Sequence, residues 1–144
     1  MANTDTVELL KECDQGVRMG IDAIDEILPK VQSKKLKTVL ENSKRRHEEL
    51  KNELVGLLHD VGKYGEEPNV MAKGMSHLKT NFKMFLDESD QTIAGLMTDG
   101  CDMGIKSLNK YLNQYAAADE NIKDITRRII KVEEDLRDDI KGYL

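Results

Sequence analysis

The sequence predicts an all-α protein, a four-helix bundle with a long crossover between its second and third helices. Apolar residues recur at the spacing of an amphipathic helix in four long segments. The residues Cys-Asp-Gln-Gly-Val-Arg at 13–18 are nearly repeated as Cys-Asp-Met-Gly-Ile-Lys at 101–106, which indicates an internal duplication of two helical hairpins. Charged residues make up 34% of the chain and aromatic residues 4%, a composition typical of long helices with charged surfaces.

The length, charge and cysteine content of the chain exclude several classes of protein. At 144 residues the chain is expected to form a single domain spanning residues 1–144. Its net charge of -5 argues against a nucleic-acid partner, because phosphate binding needs a basic surface. Two cysteines do not make a disulfide framework, and no basic segment followed by an apolar run marks a secretory signal. Since no apolar run reaches the ~20 residues that cross a bilayer, we predict a cytoplasmic protein without a membrane span.

Helix 1 is predicted from Asp5 to about Pro29. Asp5 and Glu8 have the spacing of a capping box, and Pro29 would remove a helical hydrogen bond. The apolar stripe between them keeps helical spacing and consists of Leu10, Cys13, Val17, Ile21, Ile24 and Leu28.

Helix 2 is predicted to turn back along helix 1, from about Leu36 to Val61, with Gly62 as its stop signal. Its apolar stripe is long and regular. Two positions in that stripe, Ser43 and His47, are polar, so the sequence predicts a polar layer inside the bundle.

The crossover is predicted to carry one short amphipathic helix over residues 70–86. Pro68 and Asn69 are a start signal, and Met and Phe residues follow at helical spacing. This helix is interpreted as a lid packed on its own domain, with Phe82 largely buried, because its apolar stripe must be covered. The alternative is an interaction module that docks to a partner or lies on a membrane.

Helix 3 is predicted to open at residues 87–90 and to end at Ala116–Ala118, and Asp119 is the predicted N-cap of helix 4. Their apolar stripes repeat those of the first hairpin. The duplication aligns His47 of helix 2 with Glu133 of helix 4. We therefore predict a pseudo-twofold axis that relates residues 5–62 to residues 88–144 and overlays Cys13 on Cys101.

A hairpin, a long connection and a second hairpin are the arrangement of a ferritin-like bundle. The residues that carry a likeness to that superfamily are Asp14, Pro68 with Gly74 and Met75, Asp102-Met103-Gly104 and Tyr111. On these residues the chain resembles the ferritin-like superfamily, specifically its small bacterial four-helix branch related to rubrerythrin-type proteins.

The resemblance implies two irons, held by one Glu each from helices 1 and 3 and a Glu-x-x-His from each of helices 2 and 4. This sequence departs from that pattern. Three residues before His47 stands Lys44, and helix 4 has Glu133 in place of histidine, with Ile130 three residues before it. A di-iron site is therefore not expected.

Four residues are candidate ligands for one metal ion: His47, Glu133, Cys13 and Cys101. Counted from the hairpin turns, they are predicted to lie near one level of the bundle, one on each helix. Two thiolates, an imidazole and a carboxylate could hold zinc, and iron or manganese are the alternatives. The competing interpretation is a metal-free core in which the cysteines act as small apolar residues and His47 donates to Glu133.

Two further patterns concern the helix surfaces. Asp14 and Asp102 each precede a cation by four residues, Arg18 and Lys106, which predicts intrahelical ion pairs. The helix-interior glycines Gly16, Gly20 and Gly104 each cost roughly 1 kcal/mol relative to Ala, so close helix contact is their predicted use.

Three functions follow as hypotheses. The first is a non-enzymatic binding or structural protein whose metal site is degenerate. The second is a protein that binds iron, manganese or zinc and serves oxidative-stress or metal-storage chemistry. The third is an interaction module that acts through the helix at 70–86, with a homodimer or another helical protein as partner.

Overall fold

The computed structural model describes residues 2–63 and 89–144, and the regular structure within these two ranges is entirely helical. Four α-helices and two short 3-10 helices account for it: α1 Thr4–Ile27, α2 Lys34–Asp60, α3 Asp90–Gln114 and α4 Glu120–Ile140, with 3-10 turns at Leu28–Lys30 and Lys141–Tyr143. The predicted crossover helix at 70–86, with Phe82, lies outside the described residues. The all-α class and the four helices of the bundle are confirmed.

Helix α1 begins at Thr4, slightly earlier than predicted. Asn3 is its N-cap, and the Asn3 side-chain oxygen accepts a hydrogen bond from the Thr6 amide at 2.8 Å. The predicted cap, Asp5, has another role, because its carboxylate accepts from the backbone N–H of Ala117 at 3.0 Å. The predicted capping box was therefore wrong, and Asp5 instead joins α1 to the loop before α4.

Helix α2 has the ends that the sequence signals predict. The Ser33 hydroxyl accepts from the Leu36 amide at 3.2 Å and caps the first turn. At the other end Gly62 takes a positive φ of 71°, which lets the backbone turn out of the helix at little steric cost.

Helix α3 is capped by Ser89, whose hydroxyl accepts from the Thr92 amide at 3.0 Å. It ends at Gln114, before the alanine run at 116–118 where the sequence predicted its end. Asp119 occupies the N-cap of α4, as predicted, but its side chain makes no capping hydrogen bond with the described residues.

Hydrogen bonds at the two ends of the bundle define its topology. The Asp90 carboxylate, at the start of α3, accepts from the amides of Gln32 and Ser33 in the α1–α2 turn, both at 2.9 Å. At the opposite end the Asp119 amide, just before α4, donates to Thr6 Oγ1 at 2.8 Å. Helices α1 and α4 therefore run in one direction and α2 and α3 in the other, so the end of α2 and the start of α3 lie at opposite ends of the bundle.

The core is divided into two clusters. The lower cluster lies near the α3–α4 turn and includes Leu10, Leu54 and Ile125; the upper cluster lies near the α1–α2 turn and includes Ile24, Leu40 and Ile140. Each of these six side chains is 0% exposed. The polar layer predicted from α2 falls between the two clusters, and that position sets the candidate site.

Candidate functional site

His47 and Glu133 form a buried contact between α2 and α4. His47 Nε2 lies 2.6 Å from Glu133 Oε1, and the side chains are 1% and 14% exposed. The other ring nitrogen, Nδ1, lies 2.7 Å from the Ser43 carbonyl oxygen. The predicted contact between the two residues is confirmed, and both imidazole nitrogens have partners.

The partners determine the protonation of His47. A carbonyl oxygen only accepts, so Nδ1 carries a proton, and an ionised Glu133 requires a second proton on Nε2. Burial lowers the pKa of His47, but the Glu133 carboxylate and the Ser43 carbonyl raise it by more, and the net pKa lies above its usual value. The raised pKa therefore favours the imidazolium form of His47 beside the Glu133 carboxylate.

Two glycines make room for this pair. A Cβ at Gly20 of α1 would stand 2.7 Å from His47 Nε2, closer than real atoms approach. At Gly104 of α3 a Cβ would lie 3.6 Å from Glu133 Oε2, an ordinary contact distance. The close contact predicted for these glycines is present at Gly20, where it is made with His47, whereas at Gly104 a Cβ would fit beside Glu133. At Gly16 it is absent among the described residues, since a Cβ there would meet no atom within 4 Å.

The two cysteines differ in their relation to the pair. Cys101 lies one turn before Gly104, and burial, followed by the Glu133 carboxylate, raises the pKa of its thiol. Cys13 lies two turns before Gly20, roughly 10 Å along α1, and its Sγ contacts Thr126 Oγ1 at 3.1 Å. The single level predicted for all four residues is therefore not what the structure has. Burial is the first cause that raises both thiol pKa values, that of Cys13 to about 12, so neither is a ready thiolate.

Within residues 2–63 and 89–144, no three His, Cys, Asp or Glu side chains come together in a way that could hold a metal ion. The residues also do not fit a di-iron centre. Lys44 pairs with Asp25 at the surface, Ile130 is a buried apolar residue, and Asp102 pairs with Arg137 at 3.1 Å. Of the four candidate metal ligands, the structure brings together His47 and Glu133, with Cys101 beside Glu133.

Of the two intrahelical ion pairs predicted from the sequence, the structure contains one. Arg18 Nε donates to Asp14 Oδ2 at 3.0 Å, as the four-residue spacing predicted. Asp102 bonds Arg137 of α4 instead of Lys106 on its own helix, because the neighbouring helix brings a guanidinium into reach. Both aspartates are engaged in ion pairs, and the second oxygen of Asp14, Oδ1, is buried without a hydrogen-bond partner among the described residues.

A cavity of about 160 Å³ lies between α1 and α3, with the ion pair on its wall. Small residues from both helices line it: Gly16, Gly20 and Ala23 from α1, and Gly100, Gly104 and Ser107 from α3. Met19, Met97 and Met103 add apolar surface, and Met103 is 53% exposed. This is close to the volume, about 150 Å³, of an apolar cavity that accepts benzene.

One end of the cavity holds a second buried acid, Glu12. It is 5% exposed, and its Oε2 has no hydrogen-bond partner among the described residues. Burial raises the pKa of Glu12, while a hydrogen bond from the Tyr111 hydroxyl lowers it. Burial, with the charge of Glu12 second, raises the pKa of Tyr111 to about 12, so the phenol is neutral at pH 7.

Glu12 and the cavity were not predicted from the sequence, although a signal for them exists. Glu12, Gly16 and Gly20 follow one another at four-residue intervals, so they lie along one face of α1. A row of one acid and two glycines on a helix face cannot fill the space beside a neighbouring helix. That pattern could have indicated a gap with an acid at its end.

Comparisons with known proteins bear on the fold. No protein-family model matches the chain, and no curated protein matches it. Its structure is similar to the crystal structure of a DUF305 fragment from Deinococcus radiodurans, with a TM-score of 0.72 over 98% of this chain and 95% of that chain. The sequence identity is 14%, so this likeness supports the helical-bundle fold and carries no function. In the described residues, no helix is long and apolar enough to cross a membrane.

Proposed function

We propose that this chain is a non-enzymatic binding protein that takes a small, largely apolar molecule in the cavity between α1 and α3. The observation that carries the proposal is the cavity itself, about 160 Å³ in volume and bordered by small residues on both helices. Most protein interiors are close-packed, so a gap of this size needs a reason.

The glycines supply the argument for a binding role. Gly16 and Gly100 both line the cavity, and a Cβ at either position would meet none of the described residues within 4 Å. Within residues 2–63 and 89–144, neither glycine is required by packing or by a positive φ. Since alanine would stabilise each helix by roughly 1 kcal/mol, two interior glycines here keep space open at a cost in stability.

The polar layer supports a non-enzymatic role. In the metal-binding members of the resembled superfamily, side chains from all four helices converge on the centre of the bundle. In this chain the corresponding layer is a closed pair, because both nitrogens of His47 are engaged by Glu133 and Ser43. The proposal also holds that the chain is related to rubrerythrin-type proteins. In this chain an ion pair would then occupy the place of a metal site that has been lost.

Benzene is the probe that tests binding. Titration of 15N-labelled protein should move the amide resonances of Gly16 and Gly100, and benzene should raise the midpoint of thermal unfolding. Gly100→Leu, which fills the cavity from α3, should remove both responses. Gly95→Leu is the matched control, because Gly95 is a glycine of the same helix that does not line the cavity and also has no atom near its Cβ position. Benzene binding that survives Gly100→Leu would overturn the proposal.

A second candidate function is metal binding at the same layer. The observation in its favour is that the Nδ1–H of His47 is anchored on a carbonyl while Nε2 faces Glu133, an orientation shared with metal-ligating histidines. Cys101 is the nearest further candidate, and it would have to change its side-chain orientation to become a third ligand. Elemental analysis of protein purified without a chelating tag separates the two functions, because stoichiometric zinc, iron or manganese would favour this candidate.

The remaining hypotheses are retained as proposals. A cytoplasmic location agrees with two free, buried cysteines, which need no oxidising compartment. The interaction module at 70–86 lies outside the described residues, and the homodimer is a separate proposal. Size-exclusion chromatography with light scattering tests the dimer directly.

A further inference from the structure

We infer that the cavity between α1 and α3 selects a small organic amine, with the ammonium group beside Glu12 and the apolar body between the glycines. This inference rests on the proposed function and adds the chemical class of its ligand. It is argued from the charges, hydrogen bonds and shape of the cavity wall.

The charge of the cavity wall favours a cationic ligand. Its ionisable side chains are Glu12, His47, Cys101, Tyr111 and Glu133, and no Lys or Arg lines the cavity among the described residues. His47 and Glu133 offset each other as an ion pair. The thiol and the phenol stay neutral at pH 7, since both pKa values are raised. Among the described lining residues, therefore, no Lys or Arg side chain stands opposite the Glu12 carboxyl group.

The hydrogen bonding of Glu12 favours a ligand that donates a hydrogen bond. The Tyr111 hydroxyl donates a hydrogen bond to the Glu12 carboxylate. The Oε2 atom of Glu12 is buried without a hydrogen-bond partner in the part of the chain that the structure describes. A buried acceptor of this kind is destabilising until a donor reaches it. An ammonium group supplies both the donor and the opposite charge, whereas a hydroxyl supplies the donor alone.

The shape of the cavity suits an amine that carries a small apolar body. The described lining beyond Glu12 and the ion pair is largely glycine, methionine and aliphatic surface, and it holds no other carboxylate that an amine could bind. A volume of about 160 Å³ suits an apolar body near the size of a benzene ring. Benzylamine combines that body with one ammonium group, and benzyl alcohol is its neutral counterpart.

The test compares the two ligands by isothermal titration calorimetry at pH 7. Wild-type protein should bind benzylamine about tenfold more tightly than benzyl alcohol, the ratio expected of one charge-assisted hydrogen bond. Glu12→Gln keeps the side-chain shape and should abolish that ratio, with benzyl alcohol affinity changed less than about twofold. Glu49→Gln is the matched control, because it removes an exposed carboxylate outside the cavity and should leave the ratio intact.

The outcomes separate the two claims. Equal affinities of the wild type for benzylamine and benzyl alcohol would overturn the amine inference and leave the binding function standing. A loss of amine preference in Glu49→Gln as large as in Glu12→Gln would also overturn it, because the attraction would then come from the overall negative charge. Absence of binding by benzene, benzylamine and benzyl alcohol alike would overturn both. The wild-type comparison decides the matter even if Glu12→Gln is poorly folded.

Discussion

The ion pair between His47 and Glu133 makes a quantitative prediction about stability. Glu133→Ala leaves His47 Nε2 without a partner in a position where the imidazole is 1% exposed. Because the ring can lose its proton, the loss is that of an unpaired neutral group rather than of a buried charge, and amounts to about 1–3 kcal/mol. The free energy of unfolding should fall by that amount at pH 7.

Urea denaturation followed by circular dichroism measures the change. Glu134→Ala, the neighbouring residue on the same helix, is the control, and it is expected to change the free energy of unfolding by less than about 0.5 kcal/mol. The denaturant slope should be the same in both variants, so that the midpoints report stability. If Glu133→Ala were no less stable than Glu134→Ala, the pair would make no net contribution and the polar layer would have no structural role.

Three further predictions concern pH, packing and an end of the bundle. The pKa of His47 is raised on folding, so the stability that the pair contributes is complete below about pH 6.5 and declines as the pH rises through the pKa of the folded state. The difference in the free energy of unfolding between wild type and Glu133→Ala should therefore shrink from pH 6 to pH 9. Gly20→Ala should destabilise by roughly 1–3 kcal/mol because its Cβ meets the His47 ring, whereas Gly16→Ala should stabilise by roughly 0.5–1 kcal/mol; a stabilising Gly20→Ala in urea denaturation would contradict the geometry. Asp90→Ala should cost about 1 kcal/mol in the same assay, because two backbone amides lose their acceptor, and a neutral result would count against that connection.

Much of the fold was predictable from helical periodicity and end signals. The spacing of apolar residues determines which face of each helix is buried, and Ser33 and Gly62 bound α2 through local hydrogen bonding and a positive φ. The start of α1 was not predictable in the same way. Asp5 and Asn3 are both good caps, and the choice between them depends on the Ala117 loop at the other end of the chain.

The candidate site was predictable where the internal repeat applied and not where side chains from unrelated positions meet. The repeat aligned His47 with Glu133, and the two are in contact. Counting residues from the hairpin turn did not locate positions on α1 to better than two helical turns. Cys13 was therefore expected beside His47 and Glu133, whereas Gly20 is the α1 residue at that level. The cavity depends on the separation of α1 and α3, which no single-helix pattern determines. The duplication itself stays a prediction, tested by superposing residues 5–62 on residues 88–144 in an experimental structure.

A crystal structure of the protein soaked with benzene is the most direct test of the central claim. We predict density for one benzene molecule between α1 and α3, in contact with Gly16 and Gly100, with His47 Nε2 still bonded to Glu133. The contrary result is a closed interface, in which Met19 or Met97 has moved into the space and the benzene, if bound, lies elsewhere.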